Sequence, residues 1–442
     1  MNGNIIKFLI LTTSISNNCV MINYTSAVSY ENFSFIFHAE SSDESSFVAN
    51  DWGMEKIDLY DAWDIETGSA NVKVGVVDTG IDNHFNLVNN LDFVLSYDFA
   101  SVNNQGIVTD EHGTHIAGII GGHSTVSNVF SGVCQDVGLV SLKMHNEGNM
   151  ELEEYLRFSD IIEYANDNNI MILNCSFGTP TDVENIRTKI LNYDGLIICS
   201  AGNDAVDIDQ QSNITYPACY DFDNIITVGA TDINDNMWQY EYNDVGGERA
   251  APTPPPFENP QPVIKGSNYG GTSVDLFAPG VDIYSTVYNF MYTTHNDFDY
   301  KDGTSMAAPF VAGVAALLAS HYPGITPLEI KNTIMENVDS ISSLADKCIS
   351  GGRLNAYKAL KNGPKRYFIY QKQDGLKHKK TCVCGDEYIE PHELDYEWVS
   401  YTSHTIKCVC GHMLTVPHVT DTLTVIPGTQ YYSCDLCGGL SY

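Results

Sequence analysis

The chain has 442 residues, 43% of them hydrophobic and 18% charged. That is enough apolar material for a full-sized globular core with room for a second module, and it excludes a chain disordered as a whole. With 22 Lys plus Arg against 56 Asp plus Glu the net charge is -34; this repels nucleic-acid phosphates and anionic lipid headgroups, so no nucleic-acid partner is expected and the acidity reads as a solubility device.

At the N-terminus Lys7 precedes the apolar stretch Phe8-Leu9-Ile10-Leu11, and the small-residue site Thr25-Ser26-Ala27 follows, the order in which an export signal is built. Residues 1–27 are therefore read as a signal peptide, 28–50 as a short pro-segment or linker, and the product as secreted or held at the cell surface; without that signal it is intracellular. No later stretch has the ~20 apolar residues needed to cross a bilayer, so no transmembrane helix is expected.

From about residue 51 to 361 short apolar runs alternate with segments of helical period. The runs are Val74-Gly75-Val76-Val77, Leu139-Val140-Ser141-Leu142, Ile170-Met171-Ile172-Leu173, Leu196-Ile197-Ile198-Cys199 and Ile225-Ile226-Thr227-Val228. Runs apolar on both faces belong in a covered parallel sheet. Leu152, Tyr155, Leu156, Ile162 and Ala165 recur at helical spacing, as do Val183, Ile186 and Ile190. The rhythm is that of an α/β fold. Between Gln239 and Gly266 the run Ala251-Pro252-Thr253-Pro254-Pro255-Pro256 removes donors and enforces extended backbone, which predicts a surface insertion. Cys175 and Cys199, in strand-like runs, are expected to be buried structural thiols.

Three segments place a polar residue where a regular element ends or starts. Val74-Gly75-Val76-Val77-Asp78-Thr79-Gly80 is an apolar strand stopping at an acid. His112-Gly113-Thr114-His115 opens an Ala/Gly/Ile helix, and Gly303-Thr304-Ser305-Met306-Ala307-Ala308-Pro309 places Ser305 at the start of another. Singly, each has an ordinary explanation as a turn acid, a satisfied histidine or a helix cap. Together, a carboxylate, an imidazole and a hydroxyl are what a serine nucleophile needs: a base to take its proton, and an acid to fix the base's tautomer.

The order Asp, His, Ser on an α/β scaffold is that of the subtilisins, and the chain resembles the subtilisin-like serine protease family over roughly residues 51 to 361. The resemblance implies a three-layer sandwich around a central, mostly parallel sheet. It implies a serine endopeptidase working through an acyl-enzyme on polypeptide substrates, with Ser305 as nucleophile, His112 as base, Asp78 orienting it, and His115 structural. Ser200-Ala201-Gly202-Asn203 is similar to the family's oxyanion-hole segment, making Asn203 a donor and Gly202 a substrate contact. Asn174-Cys175-Ser176-Phe177-Gly178 is similar to its substrate strand, making Ser176, Phe177 and Gly178 peptide contacts. No cofactor is expected for catalysis. Where relatives carry a calcium-binding acid, the chain has His84-Phe85-Asn86-Leu87, and the loop Gly122-His123-Ser124-Thr125-Val126-Ser127-Asn128 lacks carboxylates, so calcium is not expected there.

The catalytic domain is placed at 51–362 and a Cys/His-rich module at 363–442, the α/β rhythm giving way near Gly363-Pro364. In that module His378, Cys382, Cys384, Gly385, Pro391 and His392 recur 26 residues on as His404, Cys408, Cys410, Gly411, Pro417 and His418, with a partial third copy at Cys434, Cys437 and Gly438. Paired Cys followed by Gly is how zinc knuckles are built, so Cys382, Cys384, Cys408, Cys410, Cys434 and Cys437 are read as structural zinc ligands. A module stapled by three disulfides is the alternative. Stability, or attachment to a surface or protein partner, is the module's expected role.

Overall fold

The computed structural model describes residues 52–101, 111–123, 130–146, 150–242, 263–288 and 297–364, together with the backbone of strand segments within 11–36 and 368–441. The chain divides into two units, Met1–Ala49 and Asn50–Tyr442. In the first, β1 (Leu11–Ser16), β2 (Cys19–Tyr24) and β3 (Phe33–Ile36) form an antiparallel sheet in that order.

The second unit opens with α1 (Trp52–Lys56), α2 (Leu59–Trp63), β4 (Gly68–Asp78), β5 (Tyr97–Asp98), α3 (His112–Gly121) and β6 (Asp136–Lys143). It continues with α4 (Leu152–Leu156), α5 (Phe158–Asp167), β7 (Ile172–Cys175), α6 (Glu184–Leu191), β8 (Leu196–Ser200) and β9 (Ile225–Thr231). Then come β10 (Gln239–Tyr242), β11 (Val263–Gly266), β12 (Leu276–Pro279), β13 (Ile283–Val287), β14 (Asp297–Lys301) and α7 (Thr304–His321). The body closes with α8 (Pro327–Glu336), β15 (Asp339–Ser340), β16 (Gly352–Arg353) and α9 (Ala356–Asn362).

The central sheet has the order β15-β16-β12-β9-β8-β7-β4-β6-β5, parallel throughout except at the β15–β16 edge. Side chains alternate across it as a strand's period of two requires. Val74, Val76, Ile172, Ile198 and Val228 join one core with α3 and α7, while Val77, Leu173, Ile197 and Cys199 join a second with α5 and α6. This two-sided burial is why the runs read as continuously apolar. Cys175 and Cys199 are buried free thiols on neighbouring strands.

All of α7 is buried except Ser305, Ser320 and His321. It is the helix among the described residues long and apolar enough to cross a membrane, and it is the core of the body. The helical spacing after Leu152 resolves into two helices that meet at Arg157; Tyr155, Ile162 and Ala165 are buried, whereas Leu152 and Leu156 are exposed. β10 and β11 pair antiparallel at the base of the expected insertion, whose Pro-rich residues lie outside the described ones.

Beyond Gly363, where a loss of strand rhythm was expected, the backbone forms three antiparallel three-stranded sheets. Their middle strands, Lys377–Cys382, Ser403–Cys408 and Thr429–Cys434, each end on the first cysteine of a repeat. The second cysteines, Cys384, Cys410 and Cys437, lie outside the described residues.

Candidate active site

The C-terminal ends of β4, β7 and β8 lie side by side, with Val77 opposite Cys175 and Cys175 opposite Cys199. The next residues along, Asp78, Ser176 and Ser200, therefore collect at one edge of a parallel sheet, where α/β folds carry their sites. Asp78 is 1% exposed. Its Oδ1 accepts from Thr79 N at 2.8 Å and Thr79 Oγ1 at 3.2 Å, and lies 2.8 Å from His112 Nδ1. Facing a carboxylate, Nδ1 must carry the imidazole proton, which makes Nε2 the acceptor. Burial pushes the Asp78 carboxyl upward, but the charge and hydrogen bond of His112, the charge of His145 and the Thr79 N–H outweigh it and hold the group below its ordinary value.

The first turn of α3 approaches Asp78 so closely that a Cβ on Gly113 would sit 2.3 Å from Gly80 O and 3.2 Å from Asp78 Cβ. Only glycine admits this docking of helix on strand end. His115, one turn on, is buried, with Nε2 3.0 Å from Ile283 O and 3.2 Å from Asp299 O. That nitrogen is committed to the β13–β14 hairpin.

Ser305 is the partly exposed residue of the first turn of α7. Its Oγ lies 3.4 Å from Ser176 O, and Ser176 Oγ donates to Ser305 O at 3.1 Å. Asn203 sits across this turn, its Oδ1 accepting from Thr304 N at 3.0 Å and Thr304 Oγ1 at 2.8 Å. A backbone N–H can only donate, so the amide oxygen is the atom facing Thr304 and the NH2 group points the other way. Gly202 holds φ 100°, a conformation costly to other residues, and turns the chain out of β8. Asn268 secures the same loop: Nδ2 donates to Ala201 O at 2.9 Å, and Oδ1 accepts from Asp204 N at 3.0 Å and Val206 N at 3.2 Å.

Of the expected peptide contacts, Ser176 is engaged with Ser305, and Gly178 is exposed. Phe177 points inward, its ring 5.3 Å from that of Phe158 in an edge-on contact. Any peptide contact by Phe177 is therefore through its main chain. Thr79, Thr304 and Asn268 were not singled out by sequence. The two threonines flank named residues and could have been found there; Asn268 carries no local signal.

A calcium ion takes six to eight oxygens, carboxylates among them. At the family's usual position Asn86 offers one buried, unpartnered amide oxygen, while its Nδ2 donates to Phe130 O at 3.0 Å. Among the described residues no group of three or more His, Cys, Asp or Glu could hold a metal. Residues 124–129, the rest of that loop, lie outside them.

A sequence model of the Subtilase family of S8 peptidases matches residues 69–367. The chain is 30% identical to a thermophilic serine proteinase of Bacillus sp. (strain AK1) over 346 residues, 77% of this chain and 74% of that one. It is also 30% identical to thermitase of Thermoactinomyces vulgaris over 319 residues, 71% of this chain and 97% of that one. Among solved structures, a protease from Pseudoalteromonas arctica PAMC 21717 superposes with a TM-score of 0.55 at 22% identity, covering 72% of this chain and 96% of that one; this shows the fold.

Proposed function

We infer the mechanism of this chain from one premise: it belongs to the Subtilase family and is a serine endopeptidase. Asp78, His112 and Ser305 are its triad. The observation that carries this is the 2.8 Å contact of His112 Nδ1 with the buried Asp78 carboxylate at the sheet edge where Ser305 begins α7.

The Ser305 hydroxyl turns from Ser176 O, a contact long enough to give up at little cost, and passes its proton to His112 Nε2 as Oγ attacks the substrate carbonyl. Negative charge then develops on the carbonyl oxygen. The Asn203 NH2 group, aimed by the two Thr304 bonds, and the Ser305 N–H stabilise it. As the tetrahedral species collapses, His112 returns the proton to the leaving amine and the acyl group stays on Ser305. Water, deprotonated by the same imidazole, releases it. Asp78 remains a carboxylate throughout, and its depressed pKa supports that role. The main chain of Ser176–Gly178, with Gly202, aligns the extended peptide.

The catalytic body is residues 51–362, exported behind a signal in residues 1–27, and residues 363–442 form an accessory module whose cysteines ligate zinc. Fluorophosphonate labelling tests the central assignment: the label is expected on Ser305, and Ser305→Ala is expected to lose labelling and nearly all hydrolysis while keeping its fold. A Ser305→Ala chain that still hydrolyses peptides would refute it.

A further inference from the structure

The β13–β14 hairpin is laced to α3 along its length. Besides the two carbonyls at His115 Nε2, Ser285 Oγ donates to His115 O at 2.7 Å and Thr286 Oγ1 to Thr114 O at 2.8 Å. Those rungs are neutral and buried. The rung nearest the reacting groups is different in kind. There the Lys301 ammonium donates to the Glu111 carboxylate. Glu111 immediately precedes His112, and Lys301 lies four residues before Ser305. Their side chains are 24% and 37% exposed, Lys301 first.

A pair this exposed adds little to stability, and the hairpin is already held by neutral bonds. What the pair has is position. It joins the segment that carries His112 to the segment that enters Ser305, and it sets one negative charge on the residue next to His112 and one positive charge that, like the charge of His112, acts on His115 one turn along. We propose that the Glu111–Lys301 ion pair is a positioning device for the catalytic base. It fixes the start of α3 against the strand leading into Ser305, and its opposed charges set the pH window in which His112 accepts a proton. The inference rests on the triad reading above.

Both residues act through His112, Glu111 favouring the imidazolium and Lys301 disfavouring it. Among the described residues, the other charged or titratable groups that close on this site are Asp78 on β4, His115 on α3, His145 just beyond β6 and Asp299 on β14; Asp110, two residues before His112, lies outside them. Among the described residues none of these is paired to Glu111 or Lys301, so removing one partner of the pair leaves the other's charge uncompensated next to the segment that carries His112. A merely structural strap would lack this signature, because its two ends would be equivalent.

The test is the acid limb of kcat/KM for peptide hydrolysis by the full chain, with the active fraction counted by fluorophosphonate labelling. In Lys301→Met the limb is expected to move up by about half a pH unit, and in Glu111→Gln down by about as much, the order of effect of one uncompensated unit charge near an imidazole in largely aqueous surroundings. Both should lose kcat severalfold. The double variant should regain the wild-type limb without regaining kcat, and Lys301→Arg should regain both. A limb that stays put, or moves the same way in both single variants, would overturn the proposal. So would failure of Lys301→Arg to restore kcat. Should a single variant not label at all, the exchange Glu111→Lys/Lys301→Glu decides, recovery of labelling supporting the proposal and continued failure overturning it. If the wild-type chain itself does not label at Ser305, the triad reading fails first, and that result is distinct from all of these.

Discussion

Lowering the pH from 7 to 5 is expected to destabilise the folded body by about 4 kcal/mol through two buried histidines. Burial lowers the His115 imidazole to about 3, helped by the nearby charges of Lys301 and His112 and opposed by the carbonyls of Asp299 and Ile283. Burial likewise lowers His84, on the other flank of the hairpin, to about 4 against the pull of Asp297 O. Both ordinary values are 6.5. Below that pH the unfolded chain takes up two protons that the folded chain refuses. Stability therefore falls as pH drops through 6.5 and goes on falling until the folded values are reached.

From 6.5 to 5 is one and a half units at ~1.4 kcal/mol each, or about 2 kcal/mol per histidine. Asp78, with its carboxyl depressed, stabilises above the ordinary carboxylate range and loses that contribution only at lower pH, outside this window. Asp275, raised by burial against the charge of Lys331, takes up its proton earlier in the folded state and acts with the opposite sign. The measurement is urea unfolding of the Ser305→Ala chain, which cannot digest itself, at pH 7, 6 and 5. Imidazole NMR alongside it follows each histidine separately. A stability flat across this range, or a His84 or His115 resonance titrating near 6.5 in the folded protein, would refute the reasoning.

Asn203→Ala should lower kcat by ~10² to 10³ with KM nearly unchanged, since the donor acts on charge present only in the transition state; the magnitude is one known for this family. Steady-state kinetics check it, and an effect confined to KM would make Asn203 a binding residue. Thr304→Val, which removes one of the two bonds orienting Asn203, should reproduce a fraction of that loss, about tenfold. Lys331 donates to Ile225 O at 2.6 Å and pairs with the buried Asp275 at 3.2 Å. Lys331→Met should cost ~3–5 kcal/mol in urea unfolding by leaving that buried carboxylate without its cation, with the Thr227 N–H still on its other oxygen, and the further change Asp275→Asn should recover most of it. Residues 363–442 should carry zinc in the reduced protein by elemental analysis, and chelation should leave short-peptide hydrolysis intact. Less than one zinc per chain with the cysteines oxidised in pairs would favour disulfides.

What could be read from the sequence was whatever is encoded over a few adjacent residues. The run ending at Asp78, the Gly-bearing turn after His112 and the serine opening an apolar helix each announce themselves within seven residues. A covered parallel sheet follows from strands without a polar face. The contacts that tune the site span far greater separations: Thr304 to Asn203 is 101 residues, Asn268 to Ala201 67, and Lys301 to Glu111 190. Nothing local to Asn268 marks it, because an asparagine that satisfies three backbone groups looks in sequence like any loop asparagine. Phe177 shows a different limit of local reading. The resemblance of its segment to a substrate strand made it an expected peptide contact, but its ring packs against Phe158 in the core, which leaves its main chain for that role.

Pro309 shows best how a local rule and a distant contact combine. Proline inside a helix removes one hydrogen bond and leaves the carbonyl four residues back without its partner. In α7 that carbonyl is Ser305's, and the hydroxyl of Ser176 takes it up. The defect thus falls on the residue whose neighbours must be placed most accurately. The bond that repairs it comes from Ser176, the residue that follows β7. An alanine at 309 would offer that carbonyl a helical N–H as well, so the Ser176 hydroxyl would share it and the link between the start of α7 and the end of β7 would no longer be the carbonyl's one bond to make up for the missing helical donor.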